Sequence, residues 1–397
     1  MTIQVPHGFR LASVSCGIKR DASRPDFTMI HCPRGATAAG VYTQNLVFAA
    51  PVAYDRARTP SADIRVLAIN SGNANACTGE RGMRDAAAMA NYAAAACGAQ
   101  ADQALVMSTG IIGEFLPMEK IAAGAKAAAA QLGDDEQAFL AAARGIMTTD
   151  KFHKIAARTI ELSGTPIRLA GMCKGAGMIG PNMATMLAIV LTDARLSPAA
   201  AQTALREATD SSFNCISVEG HMSTNDTLVL LASGAADGPE LTGADLAAFQ
   251  RALNELCVEL CRQIPDDGEG SSHLITIDVR GCRTREEARR IAKTIAESAL
   301  VKTAICGADP NWGRIVSAAG YAGVIFNPAK LDLHINGLSL YQQGRPVEFD
   351  ANTVSSSIKD NRECRIELTL AEGTAHCRFW TSDLGHEYIR INADYHT

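Results

Sequence analysis

The stretch KGAGMIGPNMATMLAIVL, from Lys174 to Leu191, carries two patterns that predict different proteins. Its first half, Gly175–Gly180, reads G-x-G-x-x-G, which is the spacing of a dinucleotide-binding turn. Its second half sets Thr185 between the small Ala184 and a long apolar run. The first pattern predicts a nicotinamide-dependent dehydrogenase, and the second predicts a chain that cuts itself in front of a threonine nucleophile.

The dinucleotide interpretation lacks the helix that it needs. The apolar IRLAGMC could be its strand, and Asp193, 18 residues after Gly175, has roughly the offset of a ribose-binding acid. However, Pro181-Asn182 and MATMLAIVL follow the glycines, and this is not a capped amphipathic helix whose N-terminus would bind a pyrophosphate. A phosphate loop is disfavoured too, because Lys174 precedes the glycines instead of following them.

Thr185 offers a different chemistry. A hydroxyl is a poor nucleophile unless a base lies beside it. Cleavage between Ala184 and Thr185 would give Thr185 a free α-amine, whose ordinary pKa of about 7.7–8.0 suits general-base catalysis. The small Ala184 and the Gly/Pro turn would let the hydroxyl approach its own preceding carbonyl for an N-to-O acyl shift. From the residues alone, simple packing in a buried strand stays the alternative.

Composition indicates an ordinary globular protein that acts on a small substrate. Of the 397 residues 47% are hydrophobic and 20% charged, and the net charge of -5 with no basic run gives no footprint for nucleic acid. Apolar stretches are interrupted by charge, and the N-terminus lacks signal-peptide organisation, so we expect neither a membrane span nor secretion. Twelve cysteines without a CxxC pair indicate reduced thiols and a cytoplasmic protein. Cys257 and Cys261 share a helix face but lack a nearby histidine, which favours core thiols over zinc, so no metal is expected.

The element pattern is mixed. Apolar residues at helical spacing predict helices over Arg84–Cys97, Met118–Leu132, Pro198–Ser211, Ala244–Ile264 and Arg285–Leu300. Short β-type runs predict strands over Arg65–Ile69, Ile167–Met172, Met186–Leu191, Thr227–Ala232, His273–Val279, Leu331–Ile335 and Arg365–Leu370. Because helices and strands do not alternate regularly, α+β layers are favoured over a doubly wound parallel sheet.

Two polar segments are most simply turns. NSGNANACTG, Asn70–Gly79, offers Ser71, Cys77 and Thr78 as nucleophiles, but no imidazole partner is indicated for a thiolate. A tight turn after strand Arg65–Ile69, or the wall of a site, fits this segment better. HMSTNDT, from His221 to Thr227, similarly fits a turn between strands.

Several long motifs together resemble one known family. KGAGMIGPNMATML resembles the cleavage-site motif of the ornithine acetyltransferase family, the self-processing glutamate N-acetyltransferases of arginine biosynthesis. The resemblance spans almost the whole chain and includes GVYTQN, NSGNANACTG, STGIIG, MTTD, STNDT, DGEG, ADPNWGRI and the terminal RINADYHT. It implies the family's layered αββα-type sandwich and favours Thr185 as the nucleophile.

The resemblance implies a role for each matched residue. Cleavage between Ala184 and Thr185 would give an alpha fragment, 1–184, and a beta fragment, 185–397. Thr185 would take the acetyl group of N-acetylornithine and pass it to glutamate, while Thr109 and Gly110 of STGIIG would stabilise the oxyanion. The residues implied to contact substrate are Thr148, Lys174, Thr185, Glu269, Asn392 and Thr397. The resemblance also implies a heterotetramer of two alpha and two beta fragments and no cofactor.

Some positions depart from the family pattern: Lys151, His153, the pair His221-Met222, and His273. None is an implied catalytic position, so the reaction class is retained. The departures leave open whether acetyl-CoA is also an acetyl donor and whether the amine is strictly ornithine. An amidohydrolase or peptidase, in which water discharges the acyl-threonine, is the alternative on the same scaffold.

Overall fold

The computed structural model describes residues 3–180 and 186–394 of the chain. In these ranges the helices are α1 Ala50–Arg56, α2 Gly79–Ala96, α3 Met118–Ala129, α4 Glu136–Gly145, α5 Pro198–Ser211, α6 Gly243–Asp266, α7 Arg285–Glu297, α8 Ala299–Cys306, α9 Trp312–Gly320, α10 Ala351–Lys359 and α11 His386–Asp394. The strands are β1 Arg10–Val14, β2 Phe27–Tyr42, β3 Ser61–Asn73, β4 Ala104–Ile111, β5 Lys154–Leu162, β6 Thr165–Lys174, β7 Leu187–Thr192, β8 Ile216–Ser217, β9 Thr227–Ala232, β10 Leu274–Cys282, β11 Asp332–Ile335, β12 Leu338–Gln342, β13 Arg345–Pro346, β14 Glu363–Thr369 and β15 Ala375–Ser382.

The strands form two mixed sheets. The first has the order β4-β3-β2-β9-β7-β6-β5, with β1 paired to β2. The second has the order β13-β12-β11-β14-β10-β15-β8. β7 and β9, which follow residue 185, lie between β2 and β6, which precede it, so the first sheet combines both sides of the predicted cleavage position.

Helices cover the sheets and build the core with them. Apolar side chains of α2 and α3 pack with those of β2, β3 and β4. Side chains of α5, α6 and α7 join strands of both sheets in one large apolar cluster. α6 contacts β5 and β6 of the first sheet and β8 and β15 of the second. This arrangement confirms the α+β layered fold that the sequence predicts.

The predicted elements are largely present, with shifted ends. Helix Pro198–Ser211 and strand Thr227–Ala232 have the predicted bounds. The helix predicted at Arg285–Leu300 ends at Glu297, because Ser298 caps a new helix by accepting a hydrogen bond from the Val301 N–H. Strands that the sequence did not indicate include β2, β4, β5 and β15.

The two polar segments are more than turns. Strand β3 continues to Asn73, well past Ile69, and α2 starts at Gly79, so only residues 74–78 form the connection. HMSTNDT does connect two strands, but β8 lies in the second sheet and β9 in the first. No helix in the described part of the chain is long and apolar enough to cross a membrane.

The dinucleotide interpretation of Gly175–Gly180 is wrong. β6 ends at Lys174, and the next described element is strand β7, which begins at Leu187. Among the described residues from 175 to 192 no helix begins, so the turn has no helix N-terminus to offer a pyrophosphate.

Candidate active site

A cavity of about 120 Å³ lies where β4, β6 and three loops meet. Its walls come from the end of β4, the loop after α4, the turn after β6, the loop before β9, and the segments around residues 269 and 392. Six residues that the sequence predicts for the site line this one cavity: Thr109, Gly110, Thr148, Lys174, Glu269 and Asn392. The other three predicted positions, Ala184, Thr185 and Thr397, lie outside the described residues.

The end of β4 is held tightly against β3. Gly110 has φ +135°, and a Cβ there would lie 2.2 Å from the carbonyl carbon of Gly72. Only glycine fits this close approach of two backbones. Asn225 fixes the same region, because its amide donates hydrogen bonds to the carbonyls of Ala74 (2.6 Å) and Ser108 (2.8 Å).

Lys174 is a buried cation in the cavity wall. Its side chain is 3% exposed, and its Nζ donates to Thr109 Oγ1 at 3.2 Å. Burial lowers the pKa of Lys174, an effect that the nearby carboxylates of Asp150 and Asp226 oppose. An anionic ligand in the cavity would raise the pKa of Lys174 in the same direction as these carboxylates.

Glycine in the turn after β6 makes room for a carboxylate. A Cβ at Gly177 would lie 2.5 Å from Glu269 Cδ, so the Glu269 side chain occupies the space above this glycine. The Glu269 backbone N–H donates to the Ala176 carbonyl at 2.9 Å, which ties the two segments together. At the far end of the turn, a Cβ at Gly180 would meet the Gly220 carbonyl carbon at 2.6 Å. Close packing, not nucleotide binding, explains these glycines.

The C-terminal segment folds back onto the cavity. α11 carries Asn392, whose amide donates to Glu269 Oε2 at 3.1 Å. The Asn392 amide thereby orients the carboxylate that lies over Gly177.

A buried carboxyl group lies next to the predicted nucleophile position in the chain. Asp226 is fully buried, and its Oδ1 accepts a hydrogen bond from the N–H of Met186, the residue that follows Thr185. Burial raises the pKa of Asp226 well above its ordinary value. Burial therefore disfavours the ionised form of this carboxyl group, which lies beside the N–H of Met186.

Sequence reasoning missed a buried charge cluster behind the cavity. Lys154 Nζ lies 2.7 Å from Asp150 Oδ1 and 2.6 Å from Asp267 Oδ2, and all three side chains are 0% exposed. The only sequence signal is that Asp150 ends MTTD and Asp267 begins DGEG, two of the quoted motifs. Nothing in the sequence distinguishes Lys154 from a solvated lysine at the start of a strand.

A second cavity, of about 510 Å³, adjoins the first and shares Gly110 and Thr148 with it. Lys19, Arg20, Arg24 and Lys120 line it, together with the acidic Asp21 and Glu114. Three of these cations donate to backbone carbonyls: Lys19 to that of Pro25 at 2.7 Å, Arg24 to that of Thr148 at 2.7 Å, and Lys120 to that of Gly17 at 2.5 Å. Burial and the neighbouring Arg24 lower the pKa of Lys19 to about 8.

The departures from the family pattern lie outside the first cavity. Lys151, His153, His221 and His273 are all described, and none of them lines it. His273 instead pairs with Asp383, with Nδ1 3.0 Å from Oδ2. Cys257 and Cys261 are buried in α6 within the apolar core, and the described residues contain no group of three side chains able to hold a metal ion.

Comparison with known proteins shows the family of this chain. A model of the ArgJ family matches residues 10–397. The arginine biosynthesis bifunctional protein ArgJ of Rhodopirellula baltica is 46% identical over 99% of this chain and 96% of its own. The protein of the same name from Symbiobacterium thermophilum is 44% identical over 100% of this chain and 98% of its own. The crystal structure of ArgJ from Bacillus halodurans, 40% identical, has a TM-score of 0.51 and covers 52% of this chain and 98% of that chain. Because the family match and the identities extend over nearly the whole length, the chain belongs to the ArgJ family.

Proposed function

We propose that this chain is a self-cleaving acetyltransferase that moves the acetyl group of N-acetylornithine to glutamate, a reaction of arginine biosynthesis. The observation that carries the proposal is the meeting of six implied site residues around one cavity. The relatives, named as arginine biosynthesis bifunctional proteins, support the pathway.

The cavity suits an amino-acid substrate. The buried Lys174 ammonium can form an ion pair with a substrate carboxylate, and the Glu269 carboxylate can form one with a substrate ammonium group. N-acetylornithine carries both a carboxylate and a free ammonium group, so it can meet both side chains at once. Glutamate, whose single amine is the nucleophile, offers its carboxylate to Lys174 in the same cavity. Asn392 holds the Glu269 carboxylate toward the substrate ammonium.

The reaction proceeds through an acetyl-threonine. The α-amine of Thr185 removes the proton from its own hydroxyl, and Oγ attacks the acetyl carbonyl carbon of N-acetylornithine. Thr109 and Gly110 stabilise the oxyanion. The C–N bond then breaks, and the ornithine amine leaves with the proton. The neutral amine of glutamate attacks the same carbonyl carbon, and the bond between this carbon and Thr185 Oγ breaks. The products are N-acetylglutamate and the Thr185 hydroxyl, which takes up the proton that the amine loses.

Self-cleavage between Ala184 and Thr185 supplies the required α-amine. It divides the 397 residues into fragments of 184 and 213 residues (397 minus 184). The Bacillus halodurans chain supports this division, because 98% of that chain corresponds to only 52% of this one.

Intact-mass measurement tests the cleavage. Purified protein should contain two fragments, the second beginning at Thr185, and Thr185→Ala should yield one uncut chain without acetyl transfer. Thr303→Ala, which removes an exposed threonine of α8, is the control and should be cut normally. Active wild-type protein that remains a single chain would refute the proposal.

Glutamate dependence separates the transferase from the amidohydrolase. With N-acetylornithine as donor, ornithine release should require glutamate and should match N-acetylglutamate formation one to one. Release at the same rate without glutamate would instead identify water as the acceptor.

We also propose acetyl-CoA as a second acetyl donor, bound with its phosphates in the cationic cavity beside Gly110 and Thr148. The four cations there support this, because phosphate groups are anions that Arg and Lys bind well. The double variant Arg20→Gln/Lys120→Gln should raise the KM for acetyl-CoA about tenfold, the loss of about 1.4 kcal/mol of binding, and leave that for N-acetylornithine unchanged. Arg206→Gln/Lys330→Gln removes the same charge from exposed sites elsewhere and serves as control. Equal KM values for acetyl-CoA in both double variants would exclude this cavity.

We further propose a cytoplasmic heterotetramer of two alpha and two beta fragments. The twelve cysteines, all free, support a reducing compartment. Light scattering on the native enzyme should give a mass near 83.8 kDa, twice the 41.9 kDa of one chain. A mass of one chain would contradict the heterotetramer.

A further inference from the structure

The buried cluster of Lys154, Asp150 and Asp267 has no part in the proposed chemistry. All three side chains are 0% exposed, and none of them lines the cavity that holds the site residues. Removing three charges from water is costly, and a buried ion pair is weak evidence of stabilisation by itself. A contribution to stability therefore does not account for the cluster, and its remaining contacts have to be considered.

Two charges of the cluster, those of Lys154 and Asp150, support each other, while burial raises the pKa of the third group, Asp267. Burial raises the pKa of Asp150, but the ammonium groups of Lys154 and Lys174 outweigh this, so its pKa is below the ordinary value. Burial lowers the pKa of Lys154, and here the carboxylates of Asp150 and Asp267 outweigh it, so that pKa is raised. The Lys154–Asp150 pair therefore remains charged at neutral pH.

The carboxylates of the cluster hold the backbone of the segments that form the cavity. Asp150 Oδ2 accepts from the Thr148 N–H at 2.9 Å, and Asp150 Oδ1 accepts from the Gly175 N–H at 2.6 Å. Thr148 lines the cavity, and Gly175 directly follows Lys174, which lines it too. Of the segments that carry Thr148, Lys174 and Glu269, this one carboxylate thus fixes the first two.

Asp267 fixes the third segment. It lies two residues before Glu269, and its Oδ2 accepts from both Lys154 Nζ and the Lys151 N–H, the latter at 3.0 Å. Lys154 is the link between the two carboxylates. It also joins residues on either side of position 185, because Asp150 precedes and Asp267 follows the predicted cleavage position.

We propose that Lys154 is a positioning residue, which holds Asp150 and Asp267 and thereby sets the spacing of Thr148, Lys174 and Glu269 for an amino-acid ligand. The proposal rests on the proposed function for the identity of that ligand. Without the ammonium, the two carboxylates repel each other and the segments that they hold move apart. A displacement of about 1 Å at such a site typically costs about 100-fold in rate.

Ornithine binding, measured by calorimetry on the cleaved wild-type enzyme and on variants, tests this without any acetyl chemistry. Lys154→Met and Asp267→Asn should each weaken ornithine binding at least tenfold and raise the KM for N-acetylornithine more than they lower kcat. Lys154→Arg, which keeps the charge, should restore part of the affinity.

A matched control lies in the second sheet. Asp278 is 5% exposed and pairs with Arg365 and Arg378 at 2.7 Å each, but it touches no segment of the cavity. Asp278→Asn should lower Tm as Asp267→Asn does, with less than a twofold change in ornithine affinity. If Lys154→Met does not fold, Asp267→Asn still tests the positioning role of Lys154, because replacing a carboxylate by an amide of the same size is a smaller change.

The outcomes separate the two proposals. Wild-type ornithine affinity in folded Asp267→Asn or Lys154→Met overturns the positioning role of Lys154, whatever the reaction. Weakened binding in these variants supports it. Wild-type enzyme that binds ornithine but transfers no acetyl group would instead count against the proposed reaction alone.

Discussion

At the scale of single residues, the missing side chain of Gly177 leaves room for the carboxylate of Glu269. A Cβ at Gly177 would lie 2.5 Å from Glu269 Cδ and 2.7 Å from Glu269 Oε1, too close for either atom to stay in place. The carboxylate is the free end of a flexible side chain, so a larger residue 177 can push it aside without disturbing the core. The glycine therefore matters for where Glu269 points and little for folding.

We expect Gly177→Ala to weaken ornithine binding about tenfold, because a hydrogen bond to a charged group contributes roughly 1.5–3 kcal/mol, and to change Tm little. Calorimetry and thermal melting measure the two effects. Gly320→Ala is the control, because a Cβ at Gly320 would meet nothing within 4 Å. A fall in Tm without weaker binding would show that Gly177 is needed for folding instead.

Glu219, which contacts the turn after β6, makes the stability of the folded protein depend on pH. Its Oε1 accepts from the Ile179 N–H at 2.5 Å, and its Oε2 is buried with no partner among the described residues. Burial raises the pKa of Glu219 from 4.5 to about 8. Between these values the folded protein binds a proton that the unfolded chain does not, so Glu219 makes stability fall as the pH rises from 4.5 through 8.

Glu219→Gln should remove this loss, because the amide oxygen still accepts from Ile179 and carries no charge. The Tm of the variant relative to wild type should therefore rise between pH 5 and pH 9, conditions chosen to span the titration from about 4.5 to about 8. Glu240→Gln, at an exposed position, should show a constant difference over the same range. A constant difference for Glu219→Gln as well would mean that Glu219 is ionised in the folded protein throughout.

At the scale of elements, the contact between β3 and β4 shapes the segment that we propose as the oxyanion site. Gly110 is confined both by its φ of +135° and by the Gly72 backbone, whereas Gly113 has φ +89° and open space around its Cβ position. An alanine at position 110 would therefore meet both a steric clash and an unfavourable φ, whereas an alanine at position 113 would meet only the unfavourable φ.

Gly110→Ala should lower kcat about 100- to 1000-fold, the typical loss for one oxyanion donor, because the strands must part to admit the methyl group. Gly113→Ala should cost about 1–2 kcal/mol of stability, the price of a left-handed conformation, with kcat nearly unchanged. Steady-state kinetics with N-acetylornithine and glutamate on both variants make the comparison. A similar kcat for the two would show that the close contact with Gly72 does not set the oxyanion site.

Elements were predictable where the pattern was local. Pro198–Ser211 has a Ser-Pro start and a helical period, and Thr227–Ala232 is a short apolar run. β2 was missed because Pro33 and Gly35 interrupt its pattern. In the structure this interruption is a register shift between His31 and Ala36. Before it β2 pairs with β1 and β3, and after it β2 pairs with β3 and β9. Such a change of partner depends on a distant strand and leaves no local signal.

The site residues that lie in the matched sequence motifs were predictable. Thr109, Gly110, Thr148, Lys174, Glu269 and Asn392 all lie in segments that resemble the family, and the structure brings them to one cavity. Lys154 could not be identified, since its burial results from two carboxylates that are 4 and 113 residues away in sequence. The α11 position of Asn392 likewise depends on its docking against Glu269.

At the scale of the whole molecule, the two predicted fragments are not separate domains. β7 pairs with β6, and β9 pairs with β2, so backbone hydrogen bonds join the chain before and after residue 185 at two places in one sheet. Side chains from both sides also share the large apolar cluster. Cleavage of one peptide bond leaves all of these contacts in place.

We therefore expect the cleaved fragments to remain together in native buffer and to separate only in denaturant. Size-exclusion chromatography should give one peak that contains both fragments, while denaturing electrophoresis of that peak should resolve them. The uncut Thr185→Ala chain should elute at the same volume. Fragments that elute separately without denaturant would contradict the shared sheet.

The strand order also bears on how the protein is synthesised. When the ribosome has made β1 to β6, the first sheet lacks its two central strands, and β2 and β6 each have an edge without a partner. Unpaired edges of this kind are sites of aggregation until they are filled. The gap closes only when β9 emerges, so an early stop or a gene split at the proposed cleavage position would leave the first half with two exposed edges. The proposed cleavage avoids this if it follows folding, when both edges are already paired.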